Sequence, residues 1–117
     1  MESGGPRKTP VVFYQTPAGG AVMLDWLKRL AGAERAIIGQ DLMRVQFRWP
    51  AGMPLCRPLG KGLWEVRTSL SSNRIARVLF FAEDNRIGVL HGFIKKTRKT
   101  PIDAIALADK RMKEMKK

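Results

Sequence analysis

Chemistry that relies on thiols or clustered imidazoles has almost no material in this chain, since its 117 residues include one Cys and one His. Cys56 has no partner for an internal disulfide, which fits a reducing compartment, and Cys56 with His91 cannot make up a zinc site. No metal and no cofactor is therefore expected. Long apolar runs are missing too: no window approaches the roughly 18 residues that a membrane-spanning helix requires. Met1 to Pro10 is polar and contains Gly4, Gly5, Pro6 and Pro10, so it lacks the apolar core of a signal peptide. Residues 1–10 read as a flexible leader, residues 11–117 as one domain, and the expected location is cytoplasmic.

Acidic residues are also scarce. Ten Asp and Glu stand against 22 Lys and Arg, a formal charge of +12 with a pI near 10.8. Such an excess gathers polyanions at the surface and speeds association with them. Nucleic acid is the leading partner class, followed by an acidic protein. A membrane surface ranks third, because no helical pattern is both strongly basic and strongly apolar. The hydrophobic content of 44% is ordinary for a globular protein and excludes wholesale disorder.

What is present has a clear order. Val11 to Gln15 is a short β-rich run closed by Thr16, Pro17, Gly19 and Gly20. Met23, Trp26, Leu27 and Leu30 then recur at helical spacing. After Gly32, Ile38, Leu42, Val45 and Trp49 form the stripe of a second helix that Pro50 ends, and the pair reads as an antiparallel hairpin. Ala51 to Gly62, rich in Gly and Pro, reads as a loop. Leu63–Thr68, Ile75–Ala82 and Ile87–Lys95 read as three strands, and their short connections require an antiparallel meander. Thr100 as cap, Pro101 at the first helical position and Asp103 three residues after the cap announce a last helix with Ile105, Ala108, Met112 and Met115 inward. The expected fold is α+β, in the order β-α-α-β-β-β-α, a small mainly antiparallel sheet with the helices packed on one face and the other face open or polar.

Strand alternation assigns side chains to faces. If Trp64, Val66, Thr68, Ala76, Val78, Phe80, Leu90, Gly92 and Ile94 meet the helices, then Glu65, Arg67, Arg77, His91 and Lys95 converge on the open face, with Phe93 placed to stack on a base. The apolar strand then runs into Lys95-Lys96-Thr97-Arg98-Lys99, where Lys96, Arg98 and Lys99 suit RNA phosphates, as does Arg74 before the second strand of the meander. Each residue also has a plain structural role: a solubilising ion pair for Glu65 with Arg67 or Arg77, a hydrogen-bonded His91, a core Phe93. Trp26, Trp49 and Trp64 read as core aromatics, and Tyr14 as a sheet residue with its hydroxyl near water. A single β-bulge would flip every assignment beyond it.

The order of elements, with Gly62-Leu63-Trp64-Glu65-Val66-Arg67, Arg74-Ile75-Ala76-Arg77-Val78-Leu79-Phe80 and His91-Gly92-Phe93-Ile94-Lys95-Lys96-Thr97 followed by Thr100-Pro101, resembles the RelE/ParE toxin superfamily, in particular its HigB-like, phage-derived branch. The resemblance runs from about Val11 to the carboxyl end. It implies the toxin of a type II toxin–antitoxin pair, a metal-independent mRNA endonuclease acting on messages held by the ribosome and silenced by a helix-turn-helix antitoxin. It further implies that Arg67 and Arg77 contact RNA phosphate and that Lys95 and Lys96 are the basic residues after the last strand. Metal-free RNA cleavage needs cations for the growing phosphate charge and groups that move the proton, so Arg67, Arg77 and Lys95 are expected to stabilise the phosphate and His91 or Glu65 to handle the proton. The tyrosine frequent near the carboxyl end of such proteins has no counterpart, since nothing after Tyr14 is a tyrosine. Two other functions share this ground: a ParE-like poison of DNA gyrase, and a noncatalytic basic module that binds RNA or the ribosome.

Overall fold

The computed structural model describes residues 8–50 and 55–117. Its elements are β1 (Val11–Phe13), α1 (Val22–Arg29), α2 (Gly32–Arg48), β2 (Cys56–Gly60), β3 (Leu63–Ser69), a short 3-10 turn at Ser71–Asn73, β4 (Ile75–Glu83), β5 (Arg86–Lys95) and α3 (Ile102–Met115). The strands form one sheet in the order β1-β5-β4-β3-β2, antiparallel except for β1, which runs parallel to β5. The α+β class and the expected order hold, with one strand more than the sequence suggests. Among the described residues no helix is long and apolar enough to cross a membrane.

That extra strand explains the layout. β1 and β2 lie at opposite edges, so the chain between them must cross a whole sheet face, and α1 and α2 do the crossing. α1 packs over β5 and α2 over β3. Instead of closing on each other as a hairpin, the two helices line a groove of about 450 Å³ with Leu24 and Leu27 on one side and Gly39 and Leu42 on the other. Met23, Ile38, Leu42 and Val45 press on Val66, Ala76, Val78, Phe80, Ile87 and Val89. Each fully buried side chain of this size stabilises by roughly 1.5–3 kcal/mol. Trp49 lies just past the end of α2 and packs edge-on against Trp64 and Phe80, with ring centroids 5.1 and 5.5 Å apart.

The third helix departs from the expected layering. α3 lies on the opposite face, where Ala104, Ala108 and Met112 cover Leu63, Leu79, Phe81 and Leu90. β4 is therefore buried on both sides, which is why Ile75 to Ala82 is apolar at every position but Arg77. The cap differs as well: Pro101 precedes the first turn, and among the described residues no side chain caps it.

A bulge in β5 corrects the face assignment. Leu79 pairs with His91 while Phe80 pairs with Val89, so Leu90 is the extra residue. Val89 thus joins the α1/α2 core and Leu90 the α3 core, whereas His91, Phe93 and Lys95 keep the face that alternation gave them. The Arg111 guanidinium of α3 donates to the Leu90 carbonyl at 2.8 Å, satisfying an acceptor at the bulge.

Turns follow backbone chemistry. Asp84 and Asn85 both have positive φ, the two-residue hairpin geometry whose twist matches its strands. The leader expected over residues 1–10 lies mostly outside the described residues, but its end is held: the Thr9 N–H donates to the Gln46 carbonyl at 2.9 Å and the Ile87 N–H to the Pro10 carbonyl at 2.8 Å. Of the expected loop 51–62, residues 51–54 lie outside the described residues, and Cys56–Gly60 is β2. Pro58, which lacks an N–H, is tolerated because β2 is an edge strand.

Candidate nucleic-acid interface

Cross-strand register sets the geometry of the face shared with α3. Glu65 stands beside Leu79, and Leu79 beside His91; the next row is Arg67, Arg77 and Phe93. α3 covers the apolar half of this face. The segment from Lys96 to Pro101 crosses the polar half, so Glu65 and Arg77 are both fully buried rather than on an open face.

Glu65 has both oxygens engaged. Arg67 Nε donates to Oε1 at 2.7 Å, and Thr100 Oγ1 donates to Oε2 at 2.5 Å. The hydroxyl expected to cap α3 is spent on this acid instead. Arg67 also donates to the Arg98 carbonyl, and Arg77 donates to the Thr97 carbonyl. The remaining Arg77 nitrogens, Nε and Nη1, are buried without a partner among the described residues. Burial first, then the Arg67 and Arg57 charges, lower the Arg77 pKa, with Glu65 opposing. The guanidinium lies 5.9 Å from the Phe93 ring centroid.

Beside this network opens a cleft of about 580 Å³, in which Arg57, Arg67, Arg98 and Lys99 form a cationic rim around Glu65 and Thr100, while Pro58, Leu59 and Ile105 give an apolar wall. Among the described residues, Glu65 is the only carboxylate in that lining. Cationic donors beside an apolar wall suit a nucleotide: phosphate on the arginines, base against the wall.

Of the residues singled out from sequence, Glu65, Arg67, Arg77, Arg98 and Lys99 come together here. His91 does not. It lies two strand spacings from Glu65, about 10 Å, with Leu79 between them. Its neighbours are Phe93, at 5.3 Å between ring centroids, and the charges of Arg111 and Lys95. Burial, then Arg111 and Lys95, push its pKa down to about 4, so it is neutral at pH 7. Lys95 and Lys96 are exposed at the strand end, Lys95 with its Nζ 5.8 Å from the Phe93 centroid. Arg74 leaves the group altogether: it pairs with Glu34 of α2, on the other side of the sheet.

Sequence reasoning missed Arg57 and Thr100. Arg57 faces Glu65 across the β2–β3 ladder, and the signal that could have found it is the Cys56-Arg57-Pro58-Leu59 alternation. Two further residues proved to be core. Cys56 is buried and its thiol is pushed up to about 11 by burial. Tyr14 is buried rather than near water; its hydroxyl donates to Glu114 at 2.5 Å, which with burial raises its pKa.

A five-stranded mixed sheet, two helices crossing one face and a third on the other make this a small RelE-like α+β fold. Residues 25–113 match the family model described as Phage derived protein Gp49-like (DUF891). The chain belongs to that phage-derived family, which is RelE/toxin-like. No curated protein matches the sequence.

Proposed function

We propose that this chain is the toxin of a type II toxin–antitoxin pair of the HigB-like branch, an endoribonuclease that cuts messenger RNA held on the ribosome and is neutralised by a helix-turn-helix antitoxin. One observation carries the reading: Arg57, Arg67, Arg98 and Lys99 rim a single cleft that contains Glu65, with Arg77 beside Arg67 on the neighbouring strand. Cleavage by the ribose 2′-hydroxyl needs donors for the charge that grows on the phosphate oxygens and a base for the hydroxyl proton. The arginines supply the first, and bidentate guanidinium groups suit a phosphate better than point charges do. For the proton, Glu65 is better placed than His91, which lies outside the cleft.

A second reading, a noncatalytic RNA-binding module, draws on the double engagement of Glu65, whose oxygens are occupied by Arg67 and Thr100. Incubating purified protein with translating ribosomes separates the two. The endonuclease reading predicts message fragments ending in a 2′,3′-cyclic phosphate, lost in Arg67→Ala. Salt-sensitive binding with intact message would establish the binding module instead.

A further inference from the structure

The segment Lys96–Pro101 is held down by the groups that would bind a phosphate. It has no regular secondary structure and joins the end of β5 to the start of α3. Three contacts fasten it: Arg77 to the Thr97 carbonyl, Arg67 to the Arg98 carbonyl, and the Thr100 hydroxyl to Glu65. Two backbone carbonyl oxygens thus sit where anionic oxygens would be received. Arg77 is fully buried, yet two of its nitrogens have no partner among the described residues.

We infer that Lys96–Pro101 is a displaceable strap: it closes the cleft by occupying the guanidinium donors, and an entering phosphate group takes over those donors and lifts it. The inference rests on the oxyanion-binding part of the reading above, not on cleavage. Three physical points support it. A phosphate adds a full opposite charge and a bidentate fit to the guanidinium donors, neither of which a single neutral carbonyl provides. Neutral carbonyls leave Arg67 and Arg77, side by side in the register, without a second negative charge to match Glu65. The exchange also offers partners to the buried Arg77 nitrogens, which cost free energy while unpaired. Lifting the strap further releases Glu65 Oε2 from Thr100, so entry of a phosphate frees the carboxylate.

A closed strap lowers the apparent affinity for phosphate by the fraction of molecules that are open. Thr100→Val removes the clasp on Glu65 without touching an arginine, whereas Thr100→Ser keeps it. In Thr100→Val, phenylglyoxal labelling of Arg77, mapped by mass spectrometry, rises roughly tenfold and inorganic phosphate binds roughly tenfold tighter; Thr100→Ser behaves as wild type. Labelling of Arg111, held at the Leu90 carbonyl, stays unchanged and reports that the fold is intact. Labelling of Arg77 that does not rise in a folded Thr100→Val protein, or weaker phosphate binding, overturns the strap. A second measurement needs no variant. Titrating wild type with phosphate against equal ionic strength of chloride shifts the 13C carbonyl resonances of Thr97 and Arg98 while that of Leu90 stays put. A Thr97 carbonyl that does not move at saturation, or no phosphate binding at all, also overturns it. Strap opening by phosphate in a protein that cuts no RNA would sink the endonuclease reading alone, and RNA cleavage beneath a strap that never opens would sink this inference alone.

Discussion

Glu65 is the pivot of the cleft because, among the described residues, it is the one acid beside Arg57, Arg67 and Arg77, and it is fully buried. Removing one partner of a buried ion pair leaves the other uncompensated, so Glu65→Ala is expected to cost about 3 kcal/mol in urea unfolding. Loss of under 1 kcal/mol would show that the network contributes little to folding. His91 makes a different prediction. Its folded pKa is about 4, against an ordinary value of 6.5, so below pH 6.5 the unfolded chain binds the proton first. Stability therefore falls between pH 6.5 and 4, by at most about 3 kcal/mol, and levels off below that window. His91→Gln flattens this part of the curve, whereas parallel profiles for the two proteins would contradict the burial of His91. Parity along a strand was enough to place Glu65, Arg67 and Arg77 on one face. The meander already set His91 two strands from Glu65, but alternation gave no sign that the Lys96–Pro101 segment would fold back and bury Glu65 and Arg77.

Element by element, the sequence was most legible where periodicity and turn residues agree, as in α1, α2, α3 and the β4–β5 hairpin. β2 was hidden by Pro58 and its flanking glycines, and with it went Arg57. The side taken by α3 was written in β4, whose Leu79 and Phe81 are apolar on the face expected to be open. The β5 bulge left no mark, since Val89 and Leu90 are both apolar and can trade faces at little cost. Close approach of helix and sheet does leave one: a Cβ on Gly92 would lie 2.4 Å from the Trp26 ring of α1. Gly92→Ala must push α1 off β5, at about 1–3 kcal/mol, with a shift in tryptophan fluorescence. An unshifted spectrum with full stability would mean that α1 packs elsewhere.

For the whole molecule, the charge of +12 makes the proposed RNA binding sensitive to salt. RNA binding is expected to weaken linearly on a log–log plot against salt, with a slope of several for single strands, and Arg57→Ala or Lys99→Ala should each lower that slope by about 0.7. A salt-independent affinity would exclude the cleft as a phosphate site. The endonuclease proposal itself is tested most directly by mapping 5′ ends of cellular RNA within minutes of tightly controlled induction in bacteria, beside an Arg67→Ala control shown to be folded. New ends inside translated codons, present with the wild type and absent with Arg67→Ala, are the predicted result. Growth arrest with no new ends, or the same ends from both proteins, would contradict it.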